Sequence, residues 1–360
     1  MLFRALRQWW SSTNDQQMLA AQRILLTSLV QAPVKTVQRK HGLNVVEYAS
    51  ETRGKSLPTV VLLHGFGSGL GFFFRNIDPL LQSGTVGRVL LVDWLGMGGS
   101  DRPPCRRPIR GLTTCTTDWC TSRFGPSQAV DFFVQPLQNL LQDEIHVDEP
   151  LWTVGHSLGG YLLARYALST NASPNLEKVV LASPVGFPVK PSNLLSSAQL
   201  PTAIRLVDAL WSANVTPQQL VRMMGATRGR NAVLRALSGR IPHLADKDKE
   251  LLAEYLFHIT VAHPSGEFAM NSLLEPGMSP EMAGVFAREP LEPLFQEYEN
   301  ARAGTKWKVL YGDHDWMRPN EPSARQAMKY LSDGNVSIIP DAGHHLYLDN
   351  SPSFVKQILQ

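Results

Sequence analysis

One stretch constrains this chain more than any other: Leu151–Tyr161, LWTVGHSLGGY. A short apolar run from Leu151 to Val154 breaks into Gly155-His156-Ser157-Leu158-Gly159, and a helical pattern continues through Tyr161, Leu162, Ala164, Arg165 and Leu168. Strand, sharp turn and helix with G-x-S-x-G at the turn is the local order that exposes a nucleophilic serine above a sheet. The serine sits in a strained backbone conformation, and its neighbours two positions either side are small so that strand and helix pass close together. The turn aims the first helical N–H groups, that of Leu158 among them, at an oxyanion forming beside Ser157 Oγ. The bland alternative is a glycine-bounded turn with an incidental serine.

The flanking sequence predicts an α/β fold. Met18 to Val30 has a helical pattern, and Thr36–Lys40 and Asn44–Tyr48 read as an antiparallel hairpin about His41-Gly42-Leu43. Thr59–Leu63 is a continuous apolar run, as a central parallel strand requires, and Arg88–Asp93 is another. A helix is expected over about Pro126–Leu141, with further strands at Lys178–Ala182, Trp307–Tyr311 and Val336–Ile339. Strands alternating with helices imply a mostly parallel central sheet with right-handed crossovers and helices on both faces. The glycines after Asp93 are no dinucleotide fingerprint, because Asp101 stands where the third glycine belongs. From about Phe187 to Ala303 the alternation stops; the helical periodicity there, rich in Pro and Gly and without a convincing parallel strand, predicts a helical lid over the carboxyl ends of the strands. The expected organisation is therefore an N-terminal segment 1–17 and one domain from residue 18 to 360 with a lid at about 187–303.

Composition narrows the partners. A hydrophobic fraction of 43% over 360 residues supplies an ordinary globular core. A net charge of +3 makes no electrostatic case for nucleic acid. Cys105, Cys115 and Cys120 share one loop, are odd in number and lack histidines at zinc spacing, so neither a disulfide framework nor a metal site is expected and a reducing, intracellular compartment fits better. The longest apolar run, Ile24–Val30, falls far short of the roughly 18 residues that span a bilayer. At the N-terminus, Leu2, Phe3, Leu6, Trp9 and Trp10 share a helical face beside Arg4 and Arg7, with no acid before Asp15. Three readings stand: a mitochondrial targeting helix, an interfacial helix lying on a membrane, and a docked helix with no address.

A serine nucleophile needs a base to take its proton and a carboxylate to orient that base. On this fold their order along the chain is serine, acid, histidine. Downstream of Ser157, Lys308–Tyr311 runs into Gly312-Asp313-His314-Asp315-Trp316-Met317, and the next strand ends in Asp341-Ala342-Gly343-His344-His345. Asp315 is the expected acid, with Asp313 the alternative, and His344 the expected base in preference to His345. The second oxyanion donor is expected from the loop after Thr59–Leu63, at Phe66, where Gly65 and Gly67 allow close approach to substrate.

These residues resemble a known group. GHSLGG, HGFGSG, DWLGMGGSDRP, SPVGFP, SGEFAMNSLLEPGMSPEMAGVFAREPL, YGDHDWM and GHHLYLDN resemble, in the same order, the α/β-hydrolase-domain 4 and 5 proteins, their plant relatives and the fungal cardiolipin-specific deacylase. The resemblance runs from about Met18 to the C-terminus. It implies the α/β-hydrolase fold, phospholipid or lysophospholipid substrates, and acyl-CoA-dependent transfer to lysophosphatidate; no cofactor is visible or required, and a peripheral membrane or lipid-droplet surface is the expected partner. The acyltransferase motif of the group, H-x-x-x-x-D, falls on His344 and Asp349. The co-activator member lacks the serine that is present here, which favours an active enzyme over a lipid-surface co-activator; a small-molecule carboxylesterase of the same fold is the other alternative.

Two features have bland readings beside this one. Asp349 precedes Asn350-Ser351-Pro352 and a final helical pattern, where an acceptor side chain caps a helix. Arg102, Arg106, Arg107 and Arg110 follow the second central strand and form either a phosphate contact or a solvated basic loop. Arg288 matches a basic residue in the lid motif of the group and is a second phosphate candidate.

Overall fold

The computed structural model describes residues 11–50, 57–103, 124–195, 199–278, 283–298, 304–317 and 335–360. The amphipathic face of residues 1–10 and the loop bearing the three cysteines, Arg106 and Arg107 lie outside them.

The chain opens with α1 (Asp15–Leu29), β1 (Thr36–Lys40), β2 (Leu43–Ala49), β3 (Thr59–Leu63), α2 (Phe74–Gln82) and β4 (Arg88–Val92). It continues with α3 (Pro126–Glu144), β5 (Leu151–His156), α4 (Leu158–Ala167) and β6 (Leu176–Ala182). An insertion follows, carrying α5 (Thr202–Ser212), α6 (Pro217–Met223), α7 (Ala226–Arg240), α8 (Asp246–Val261), β7 (Leu274–Met278), β8 (Ala283–Ala287) and α9 (Leu291–Tyr298). The chain then returns through β9 (Lys306–Gly312), β10 (Val336–Ile339), α10 (Leu346–Asp349) and α11 (Ser351–Leu359).

The main sheet runs β1-β2-β4-β3-β5-β6-β9-β10. From β4 to β10 every pairing is parallel, and β1 and β2 add an antiparallel edge. That edge is a two-residue hairpin: His41 and Gly42 both have positive φ, 52° and 78°, the turn whose twist matches the strands. Val61 and Leu63 of β3 pack with α3 and α4 on one face, while Val60 and Leu62 pack with α1, α2 and the C-terminal helix on the other. This two-sided burial is the reason the parallel strands read as unbroken apolar runs.

The insertion differs from a purely helical lid. Leu274–Met278 and Ala283–Ala287 pair as a small antiparallel ribbon. Pro276 and Gly277 hide it in the sequence, since both residues are depleted from strands. Val233 and Leu237 of α7 and Leu252 and Leu256 of α8 share the apolar cluster of α1 and α2, so this half of the insertion is built into the core. By contrast, α5 and α6 carry exposed Leu206 and Met223.

The order of β4, β3 and β5 puts the topological switch point between β3 and β5, where the loops following the two strands diverge. Leu63 is in register with Gly155, so the turn after β3 and the turn after β5 emerge side by side.

Candidate active site

Ser157 occupies the sharp turn between β5 and α4 with φ 53° and ψ −115°, a strained conformation for a residue with a side chain. The flanking glycines follow from contact distances. A Cβ at Gly155 would lie 2.5 Å from the Gly159 carbonyl oxygen, and one at Gly159 would lie 2.4 Å from that of His64. Strand, helix and the neighbouring turn therefore meet backbone to backbone. Leu158 is the first residue of α4, and the helix itself leaves its N–H without an acceptor. Phe66 lines the same cavity as Ser157 and Leu158. Its turn is braced from below: Ser68 Oγ donates to the Gly65 carbonyl at 2.8 Å, and buried Asp93 accepts the Leu70 N–H at 2.7 Å.

The downstream loops bring the expected acid and base together. His344 Nδ1 lies 3.0 Å from Asp315 Oδ1. The Asp315 side chain is fully buried, and it also accepts from Ser183 Oγ and, at 2.9 Å, from the Met317 N–H. Burial pushes its carboxyl up, but the bonds from His344 and Ser183 outweigh this and hold it below the usual value. Asp313 is committed elsewhere, its two oxygens accepting the Asp341 and Ala342 N–H groups at 2.9 Å each. It fixes the turn that leads to His344. His345 is buried, with Nδ1 3.1 Å from Tyr347 Oη, while the His314 side chain is 78% exposed. The geometry thus pairs Asp315 with His344, and both His344 and Ser157 face one cavity of about 570 Å³, within the roughly 300–1,000 Å³ of small-molecule sites.

Two contributors escaped the sequence reading. Ser183, in the SPVGFP turn after β6, orients Asp315. His156 Nε2 lies 2.8 Å from the His344 carbonyl and so ties the serine turn to the histidine loop. The only signal for either was its place in a recurring motif.

Other expected contacts are reassigned. The cap of α11 is Asn350, whose side chain accepts from the Ser353 N–H at 3.2 Å, and not Asp349. Asp349 instead accepts the Gly343 N–H at 2.9 Å and braces the loop that carries His344. Arg288 is spent inside the insertion, bonding Glu275 Oε2 at 2.9 Å and the Asn271 carbonyl at 2.8 Å; a guanidinium held this way is no free phosphate contact. Arg102 is likewise internal, donating to the carbonyls of Gly96 and Gly98 and to that of His263 just after α8. Arg106 and Arg107 lie outside the described residues. Among the described residues no cluster of His, Cys, Asp or Glu is arranged to hold a metal, and no helix is long and apolar enough to cross a membrane.

The profile described as alpha/beta hydrolase fold matches residues 58–351. This chain belongs to the α/β-hydrolase fold family. A probable 1-acylglycerol-3-phosphate O-acyltransferase of Oryza sativa subsp. japonica is 30% identical over 96% of this chain and 80% of its own. The 1-acylglycerol-3-phosphate O-acyltransferase of Arabidopsis thaliana is 28% identical over 97% and 81%. A (lyso)-N-acylphosphatidylethanolamine lipase of Bos taurus is 25% identical over 82% and 76%. Among solved α/β hydrolases, bromoperoxidase from Bacillus anthracis superposes with a TM-score of 0.58 at 17% identity, covering 91% of this chain and 98% of that one. A membrane phospholipase A gives 0.55 at 18%, covering 95% and 89%. These superpositions establish the fold, and the relatives place the chain in the resembled branch as an esterase- or lipase-type enzyme.

The histidine cluster of this α/β hydrolase has a consequence for stability. Burial, then the neighbouring His344 charge, holds His156 well below the usual imidazole value. Burial does the same to His345, followed by His156 and His344. The unfolded chain takes up protons near pH 6.5 that the native chain refuses, so stability is full above that pH and falls on acidification. Denaturant unfolding is expected to show stability falling steadily from pH 7 to pH 5. A flat profile across that window would contradict it.

Proposed function

We propose that this chain is a serine hydrolase or acyltransferase of glycerophospholipids or lysophospholipids, working through an acyl-enzyme on Ser157. The observation that carries the reading is the 3.0 Å contact between His344 Nδ1 and Asp315, at a cavity that Ser157 also lines. Ser157 Oγ attacks the ester carbonyl as His344 Nε2 takes its proton, and Asp315 holds the imidazole in the required tautomer. The negative charge forming on the carbonyl oxygen is met by the Leu158 and Phe66 N–H groups. Collapse of the adduct expels the alcohol, which takes the proton from His344. Water, or the free hydroxyl of a lysolipid, then attacks the acyl-enzyme with His344 again as base. An acyl-CoA thioester would load the same serine by expelling a thiol. The phosphate-bearing substrate class comes from the names of the plant and animal relatives.

The purified chain incubated with a total lipid extract is expected to release fatty acid and lysolipid, read by mass spectrometry, and Ser157 to be labelled by a fluorophosphonate. An unchanged extract beside cleavage of a short-chain ester would mean a small-molecule carboxylesterase. An unlabelled Ser157 would mean a lipid-surface binding protein.

In this reading residues 1–10 contact the bilayer. Ser11, the first described residue, donates its N–H to the Arg222 carbonyl at 2.7 Å beside exposed Met223. A chain starting at Ser11 keeps that contact and is expected to lose sedimentation with anionic liposomes. Equal sedimentation would leave a cleaved import signal or a docked helix with no address as the role of the segment.

A further inference from the structure

We propose that Arg240 is the phosphate anchor of the Ser157 cavity, selecting glycerolipids that carry a phosphate over neutral ones. The inference rests on the acyl-transfer reading above and names the residue that sets its substrate class.

Arg240 is the last residue of α7 and lines the cavity together with Ser157 and His344. Among the described residues that line this cavity it is the one lysine or arginine, and no aspartate or glutamate joins it. Asp315, the nearest carboxylate to the chemistry, has a fully buried side chain behind His344. An anion entering the cavity therefore meets a cation with no competing carboxylate on the wall. The sequence-derived candidate Arg288 is withdrawn by its bond to Glu275. Arg102 is withdrawn by the backbone carbonyls it serves. Arg240 also acts on the imidazole cluster: after burial, His156 and His344, its charge is the next contribution holding His345 low.

The rest of the wall suits the other half of an amphiphile. Trp211, Met270, Leu274 and Val285 give it an apolar side. An adjoining apolar cleft of about 280 Å³ shares Phe66, Trp211 and Met270 with it, which extends that side away from the serine. A guanidinium and an apolar channel along one cavity match a phosphate and an acyl chain joined through glycerol. The planar fork of arginine pairs with two phosphate oxygens at once, which the point charge of a lysine does not reproduce. A competing role exists, because a cation in the last turn of a helix also complements the carbonyls there.

The test uses the full-length chain with Ser157→Ala, so that binding is read without turnover. Titration calorimetry compares a short-chain lysophosphatidate with the monoacylglycerol of the same acyl chain, both below their micelle concentrations. The preference for lysophosphatidate is expected to fall about 10- to 100-fold on adding Arg240→Gln, the worth of a charge-assisted hydrogen-bond pair. Arg240→Lys is expected to fall between the two, and it keeps a cation at the helix end if the glutamine variant folds poorly. Arg235→Gln, which removes an exposed charge of the same helix that does not line the cavity, is expected to keep the full preference. A preference unchanged in Arg240→Gln, or lost equally in Arg235→Gln, overturns the proposal. So does inorganic phosphate competing as strongly as lysophosphatidate, which would make the site one for free phosphate. If the parent chain cleaves no lipid ester while its binding preference still depends on Arg240, the anchor stands and the acyl-transfer reading falls.

Discussion

Ser157→Ala is expected to lower kcat/KM for ester cleavage by on the order of 10⁵-fold or more, and to abolish fluorophosphonate labelling. The argument is local. The elbow conformation at φ 53° is fixed by the backbone around it, because Gly155 and Gly159 leave no other way for β5 and α4 to pass. The Ser157 N–H continues the ladder by donating to the Ala182 carbonyl at 2.9 Å, and its own carbonyl accepts from Tyr161 at 3.1 Å; alanine keeps both bonds. Alanine at this φ is no more strained than serine, since both carry a Cβ. The thermal midpoint should stay close to that of the parent chain. Only the Oγ is lost, and with it the covalent route; the N–H donors of Leu158 and Phe66 would still polarise a bound ester, so a small residual rate is expected. Activity near the parent level in the alanine variant would end the acyl-enzyme mechanism.

The parts of this molecule legible in the sequence are those whose physics is local. A strand buried on both faces is an apolar run, and Thr59–Leu63 and Val336–Ile339 emerge with the ends expected of them. The turn at His41-Gly42 is equally local, because a two-residue hairpin requires left-handed backbone there. The serine elbow declares itself through the two glycines that its close contacts demand. What the sequence withholds is partnership across the fold. Arg288 looks like a free cation until Glu275, thirteen residues earlier, is folded back against it in the ribbon. Asp349 looks like a helix cap until Asn350 takes that place and Gly343 approaches from the preceding loop. Ser183 shows nothing of its role, because Asp315 reaches it only when β6 and β9 pair. Arg240 sits on a polar-looking helix with no motif around it, and only the cavity gives it meaning.

The choice between two acids in the sequence GDHD predicts a clean separation of effects. Asp315→Asn is expected to lower kcat by about three to four orders of magnitude, whereas Asp313→Asn is expected to act mainly on stability. Asp315 accepts at Oδ1 from both His344 and the Met317 N–H, and at Oδ2 from Ser183. Its lowered pKa keeps it charged at neutral pH, despite the burial that opposes this. An amide in its place turns a donor towards His344 or offers only a neutral carbonyl, so the imidazole loses both its fixed tautomer and the charge that stabilises its protonated form. Asp313 Oδ1 lies 3.8 Å from Nε2 of exposed His314, beyond hydrogen-bond distance. Its two oxygens each hold a backbone N–H in the turn after β10. Asparagine keeps one of those acceptors and sets a donor against the other, costing about 1–3 kcal/mol and loosening the turn two residues before His344. Activity should then fall about tenfold at most, with the loss read instead as a lower denaturation midpoint. The two variants measured side by side for kcat and unfolding settle the assignment: if Asp313→Asn loses the thousandfold and Asp315→Asn only stability, the orienting acid is Asp313, and the 3.0 Å contact to His344 is a structural one.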